Sequence, residues 1–223
     1  MKTVWDAPPE KPSWGTIITN VLPNNLLLSG YSLQEIIERK GFLETAYLLV
    51  KGEFPDKKTA EEMRKIAVEA ATLPIPKVKR LKNEDISKTL VKYLVLDDTL
   101  AQYPQEGTSG AVKKTMFCLG RTARYLSGTL DTEKALEKLS GNEPFSHIMY
   151  RAITGNATVN EKHSRMIETM IVASVDHGVT PPSAQATIIA ASTRTPYEVA
   201  VAQGIGVITD VHGGAGAKAA QFF

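Results

Sequence analysis

Apolar residues at helical spacing recur along most of this chain, and each run follows a residue that commonly caps helices. In "SLQE", Ser32 and Glu35 have the spacing of a capping box, and Leu33, Ile36 and Ile37 begin an apolar face. Capping residues also precede four later apolar segments, at Asp56, Asn83, Ser109 and Asp131. The pattern predicts an all-α fold built from short helices.

The clearest predicted helix start is "TPYE". Thr195 would be the cap, Pro196 the first helical residue and Glu198 the carboxylate that reaches back to the cap. The segment "KTMFCLGRTARYL" has apolar residues beyond a single stripe. Such a helix is buried on more than one face, either in the core or across a dimer.

The sequence shows no sign of a sheet. Alternating apolar and polar residues over a strand's length are hard to find, and no internal repeat of fixed period occurs. Residues 1–24 contain "APPEKPSW", which cannot propagate a helix, so we expect an extended N-terminal arm there. Residues 25–223 are expected to form one helical domain, since a chain with 43% apolar residues can bury a substantial core.

Charge and cysteine content exclude several classes of partner. The formal net charge is +2, and the 26 basic residues form no stripe, so nucleic acid is not expected to bind. Cys118 is the only cysteine, which excludes a metal site of several thiolates and fits a reducing compartment. No apolar stretch is long enough to span a bilayer, so we expect a cytoplasmic protein without a membrane partner.

Two glycine-rich stretches resemble nucleotide-binding loops only superficially. In "GTSGAVKKT" the second glycine and the Lys-Thr pair are out of register for a phosphate loop, and no buried strand precedes it. "GIGVIT" lacks the third glycine of a dinucleotide fingerprint and lies inside a helical run. Neither stretch therefore predicts a nucleotide-binding loop. We expect no tightly bound cofactor.

Two of the four histidines lie where an apolar helical run breaks into glycine or proline. His177 stands in "VDHGVTPP" and His212 in "DVHGGAG". Loops between helices present functional groups, and glycine lets a ligand approach the backbone. The amides after Gly213 would also begin a helix, whose positive end suits a carboxylate or an enolate oxygen. Position alone leaves a second interpretation open, in which each histidine only caps or fills a helix end.

Three motifs in order indicate a family. Residues 26–55 carry a Gly-Tyr pair, then Phe-x-Glu-x-x-Tyr-Leu-Leu, then Gly-Glu-x-Pro, which resembles the early signature of the citrate synthase superfamily. "DHG" at 176–178 and "HGG" at 212–214 resemble the two histidine motifs of that superfamily. The resemblance implies an all-α, citrate-synthase-like large domain of many helices.

Within the superfamily, the chain resembles the citryl-CoA lyase branch, which includes the C-terminal module of ATP-citrate lyase. "WGTIITNVLPNNLLLSGY" is similar to the opening of that branch, and "DHGVTPPSAQATII" matches its spacing. Thr180 and Gly216 stand where citrate synthases more often carry Asn.

The resemblance implies cleavage of citryl-CoA to acetyl-CoA and oxaloacetate through an enol of the thioester. His212 would stabilise the enol or enolate oxygen, and His177 would bind the oxaloacetate or citryl end. The residues implied to bind substrate around them are Asp176, Gly178, Gly213 and Gly214. A coenzyme A thioester is then a substrate, no metal is needed, and a homodimer is expected.

Two further catalytic groups of the family, a histidine and an aspartate, lie after the "HGG" motif in a small closing domain. This chain ends at Phe223 in the apolar run "AKAAQFF", so we expect the natural helix to continue, with the small domain missing from these 223 residues. Two alternatives stay open. One is a citrate or 2-methylcitrate synthase, and the other is a non-catalytic subunit for dimerisation or acyl-CoA binding.

Overall fold

The computed structural model describes residues 15–82, 84–104 and 106–219. Helices account for most of these residues, which confirms the predicted all-α class. The strands are β1 (Thr19–Leu22), β2 (Asn25–Leu28) and β3 (Tyr31–Ser32). The helices are α1 (Leu33–Arg39), α2 (Phe42–Lys51), α3 (Lys57–Thr72), α4 (Ile86–Leu96), α5 (Asp98–Gln102), α6 (Gly107–Leu130), a 3-10 helix (Glu133–Lys138), α7 (Phe145–Thr154), α8 (Glu161–Ala173), α9 (Pro182–Ser192), α10 (Tyr197–Gly206) and α11 (Ala215–Ala219).

The three strands form a small antiparallel sheet in the order β1-β2-β3 that the sequence did not predict. Thr19 pairs with Leu28 and Leu22 with Asn25, so residue 24, the predicted end of the arm, lies in the turn of a hairpin. The strands have only four, four and two residues, and β1 is mostly exposed, so no apolar alternation marks them. Residues 1–14 of the predicted arm lie outside the described residues.

Some predicted caps are present and others are not. The Asp56 carboxylate accepts a hydrogen bond from the Thr59 amide at 2.7 Å, as expected of a cap. Ser32 occupies the cap position of α1, but its side chain makes no capping bond. α6 begins at Gly107, before the predicted cap Ser109. Asn83 and residues 220–223, where the last helix was expected to continue, lie outside the described residues.

The capping box predicted in "TPYE" was wrong. Pro196 lies at the cap position of α10 and not inside the helix, so Thr195 is one residue too early to cap it. Glu198 is buried, and its carboxylate lies 3.9 Å from the ammonium group of Lys114 on α6. Glu198 therefore faces a buried cation on α6 and does not reach back to a cap.

The apolar segment predicted to be helical after Asn83 is interrupted at Asp97, which separates α4 from α5. The Asp97 carboxylate caps α5 by accepting hydrogen bonds from the amides of Thr99 and Leu100, at 2.9 and 3.3 Å. Its other oxygen lies 2.6 Å from the guanidinium group of Arg121 and accepts a hydrogen bond from the Tyr125 hydroxyl at 2.5 Å. The interruption places Asp97 where it can meet α6.

The side chains of Arg121 and Asp97 are 0% and 1% exposed, so this ion pair is fully removed from water. Burial opposes ionisation of the carboxyl, but the hydrogen bond from Tyr125 and the charge of Arg121 hold the pKa of Asp97 below its ordinary value. Arg121 also donates to three backbone carbonyls at the end of α3, those of Ala70, Leu73 and Pro74. One side chain therefore joins α3, α5 and α6.

α6 lies at the centre of the main apolar core and packs most extensively against α3. A side chain at Gly120 would come within 2.2 Å of the Ala67 carbonyl oxygen, so glycine permits the close approach of these helices. Met116 and Phe117 are buried on α6, which agrees with the prediction of burial on more than one face.

A second apolar cluster joins the sheet to the end of α8. Leu28 of β2, Ile36 of α1, Leu48 of α2 and Val172 of α8 are all buried in it, and Val175 packs against them. The cluster fixes the residues that immediately precede Asp176.

α9 and α10 form a tightly packed hairpin. A side chain at Gly204 would come within 2.1 Å of the Thr187 hydroxyl and 3.0 Å of the Ser183 carbonyl oxygen. The hairpin rests on α4, and the Tyr197 hydroxyl donates to Thr115 of α6 at 3.2 Å.

Within the part of the chain that the structure describes, no helix is both long and apolar enough to cross a membrane.

Replacing Arg121 with Met should lower the free energy of unfolding by about 3 to 5 kcal/mol, because Asp97 would remain buried without its cationic partner. The measurement is urea denaturation followed by circular dichroism. Lys113→Met, on the same helix, is the control. Lys113 pairs with Glu62, and the two side chains are 41% and 51% exposed, respectively. Loss of this exposed ion pair should lower the free energy of unfolding by less than about 1 kcal/mol. Similar losses in the two variants would contradict the role given to Arg121.

Candidate active site

His177 lies in the loop between α8 and α9, and its side chain is exposed. Gly178 follows with a φ of +80°, a left-handed conformation that favours glycine. The Gln185 side chain of α9 donates to the Val179 carbonyl oxygen and ties the loop to the next helix. The loop is therefore held at both ends, by the second apolar cluster before Asp176 and by Gln185 after Gly178.

His212 lies in the turn between α10 and α11 and is half-buried. The Thr209 amide donates to the His212 carbonyl oxygen at 2.9 Å, and Gly213 has a φ of +100°. A side chain at Gly214 would come within 2.3 Å of the Asp210 carbonyl oxygen. The two glycines therefore permit the sharp turn that presents His212.

A hydrogen bond connects the two histidine motifs. The hydroxyl of Ser183, in the first turn of α9, lies 3.0 Å from Nε2 of His212. The α9–α10 hairpin explains this contact, because antiparallel helices bring the start of the first beside the end of the second. The role of Ser183 was not predicted from the sequence, because a serine near a helix start usually caps it. Only the hairpin topology would have suggested the contact with His212.

A groove of about 440 Å³ lies beside these residues. Asp176, His177, Gly178 and Ser183 form its polar end. Its apolar walls come from α9, α10 and the residues that follow, and include Ile188, Val201, Ile205 and Ile208. An apolar groove with a few convergent polar groups is typical of a small-molecule site.

The structure therefore brings the predicted site residues together in two groups. Asp176, His177 and Gly178 line the groove directly. Gly213 and Gly214 shape the turn of His212. The imidazole of His212 is connected to the groove through its hydrogen bond with Ser183.

Asp176 has a partner that the sequence did not reveal. The hydroxyl of Thr19, the first residue of β1, donates to Oδ2 of Asp176 across 157 residues of sequence. Thr19 fell within the predicted arm, so no pattern connected it with the histidine loop.

Two other side chains that could take part in chemistry, those of His147 and Cys118, lie outside the groove. His147 faces Glu161 at 3.4 Å in a separate cavity of about 580 Å³. Cys118 is buried beneath α10, and burial raises the pKa of its thiol to about 12, so the thiol is protonated at neutral pH. Among residues 15–82, 84–104 and 106–219, no three His, Cys, Asp or Glu side chains are placed to hold a metal ion.

Fold and site together define a helical protein in which a hairpin presents two glycine-flanked histidine loops beside one apolar groove. Residues 12–223 match the family model described as citrate synthase, C-terminal domain. The chain belongs to the citrate synthase family.

Solved structures agree with this assignment of the fold. The crystal structure of citrate synthase from Thermotoga maritima MSB8 is 21% identical, with a TM-score of 0.62 over 95% of this chain. Citrate synthase from Pyrobaculum aerophilum is also 21% identical, with a TM-score of 0.58 over 94% of this chain. This chain spans only 57% and 56% of the length of those two proteins. Comparison with curated protein sequences gives no significant match.

Gly214→Ala should distort the turn that presents His212, because the added carbon would overlap the Asp210 backbone. We expect a loss of about 1 to 3 kcal/mol in the free energy of unfolding and a shifted imidazole NMR signal for His212. Gly216→Ala is the matched control, since a side chain there meets nothing within 4 Å. It should leave the His212 signal unchanged. An unshifted signal in Gly214→Ala would show that the turn tolerates the substitution.

Proposed function

We propose that this protein is a citryl-CoA lyase, which cleaves citryl-CoA to acetyl-CoA and oxaloacetate through an enol of the thioester. The observation that carries the proposal is the contact between Ser183 and His212, which joins the second histidine to the groove lined by His177. Membership of the citrate synthase family supports this type of carbon–carbon chemistry.

His212 is proposed to stabilise the oxygen of the enol or enolate. If the Ser183 hydroxyl donates to Nε2, the proton of a neutral imidazole lies on Nδ1. Nδ1 is then a hydrogen-bond donor with a fixed direction, available to the thioester carbonyl oxygen. A preorganised donor of this kind contributes about 3 to 4 kcal/mol to transition-state stabilisation.

His177 is proposed to bind the oxaloacetate end of the substrate, with Asp176 and Gly178 shaping the loop around it. Its exposed imidazole can donate to a keto or carboxylate oxygen at the polar end of the groove. Gly213 and Gly214 would let the thioester approach the backbone beside His212. The two histidines would thus hold the two halves of citryl-CoA on either side of the bond that breaks.

In the cleavage step, the hydroxyl group of the citryl carbon loses its proton and becomes the keto group of oxaloacetate. The electrons of the broken carbon–carbon bond pass to the thioester, where His212 stabilises the resulting enolate oxygen. Protonation of the enolate carbon then gives acetyl-CoA. We assign no residue of this chain as the acid or base.

The condensation direction is a second candidate, because the two solved structures of similar fold are citrate synthases. The same enol serves both directions, and a synthase could accept acetyl-CoA or propionyl-CoA. A non-catalytic acyl-CoA-binding subunit is the third candidate.

The test is release of oxaloacetate from citryl-CoA by the full-length gene product, detected by coupled reduction to malate. Thiol release from acetyl-CoA or propionyl-CoA with oxaloacetate is measured beside it. Cleavage that is faster than condensation supports the lyase. Condensation alone would establish a synthase, and neither activity would favour the non-catalytic subunit.

His212→Gln should reduce turnover at least about a hundredfold, the scale of losing one preorganised donor to an oxyanion. Its thermal midpoint should change little, because His212 is only half-buried and makes one side-chain hydrogen bond. His163→Gln is the control, since His163 is exposed on α8 and lies outside the groove. Loss of folding without a specific kinetic defect would contradict the catalytic role.

We also propose a homodimer. Val95 and Leu96 at the end of α4 are 51% and 55% exposed, and a second copy of the chain could remove them from water. Sedimentation equilibrium at micromolar concentration should give twice the mass of the chain. A mass equal to one chain would contradict the dimer.

A further inference from the structure

The polar end of the groove has a support from a distant part of the chain. Thr19 begins β1, and its hydroxyl donates to the carboxylate of Asp176, the residue before His177. Among the side-chain hydrogen bonds of the described residues, this one joins the N-terminal sheet to the histidine loop.

The register of the sheet explains why Thr19 points at this loop. Thr19 lies directly opposite Leu28 in the β1–β2 pair. Residues opposite each other in antiparallel strands have side chains on the same face of the sheet. Leu28 is 2% exposed and packs in the second apolar cluster with Val172 of α8. The Thr19 side chain is therefore directed toward the end of α8, where Asp176 lies.

Neighbouring contacts hold both partners of this hydrogen bond in place. The Ser29 amide donates to the Ile18 carbonyl oxygen at 2.6 Å, which extends the strand pairing next to Thr19. On the other side, Val175 packs against the second apolar cluster and fixes the backbone before Asp176. Both partners of the hydrogen bond are half-buried and are held by elements that pack together.

We propose that Thr19 is a positioning residue for His177. By holding the Asp176 carboxylate on the sheet, it sets the direction in which the next side chain, His177, enters the groove. The proposed catalytic consequence rests on the function proposed above. The effect should fall on the oxaloacetate end of the substrate and spare the thioester end, which His212 would contact.

The experiment compares Thr19→Val, which removes the hydroxyl at nearly constant volume, with Thr19→Ser, which keeps it. In the full-length protein, Thr19→Val should weaken oxaloacetate binding about tenfold, the scale of a lost hydrogen bond to a charged group. The dissociation constant for acetyl-CoA should not change. Thr19→Ser should restore wild-type binding. Thr158→Val, at an exposed position between α7 and α8, is the control and should behave as wild type.

The second readout does not depend on activity. The imidazole NMR signals of His177 should shift in Thr19→Val and return in Thr19→Ser, while those of His147 stay in place. If the wild-type protein neither binds oxaloacetate nor turns over citryl-CoA, the proposed function fails, and the His177 signals still decide the role of Thr19. Unchanged His177 signals in Thr19→Val, or equal defects in the Val and Ser variants, would overturn the positioning role.

Discussion

The buried ion pair between Arg121 and Asp97 is the interaction on which the arrangement of the helices depends. The carboxylate of Asp97 ends α4 and caps α5. The guanidinium group of Arg121 donates to three backbone carbonyls at the end of α3. Taking two charges out of water is costly, so the pair is tolerated only because nearly every donor and acceptor has a partner. In return it fixes α3, α5 and α6 relative to one another. α4 then forms the support on which the α9–α10 hairpin rests.

The candidate active site follows from that hairpin. Gly204 lets α9 and α10 approach closely enough for Ser183 to reach His212, and the glycine-rich turns orient the two histidines. Each loop is short and held at both ends. A site built in this way is preorganised, which is what stabilisation of a developing charge requires.

The sequence predicted the helical class, the family and the two histidine motifs, because these depend on local periodicity and on short runs of characteristic residues. Asp56 could be recognised as a cap for the same reason. Asp97, Ser183 and Thr19 could not be recognised, because their roles depend on partners that are distant in sequence. The sheet was missed because its strands are too short to show alternation. The roles of Asp176, His177, Gly178, His212, Gly213 and Gly214 in binding or catalysis stay predictions.

The β1–β2 hairpin makes residue 24 a poor place to divide this protein. A fragment that began at residue 25 would lose β1, and the "NLLL" strand that β1 covers would become an unpaired edge. Short apolar edges of this kind tend to pair with strands of other molecules, so such a fragment would be prone to aggregate. β1 thus covers one edge of β2, and its removal would affect solubility before it affected the helices.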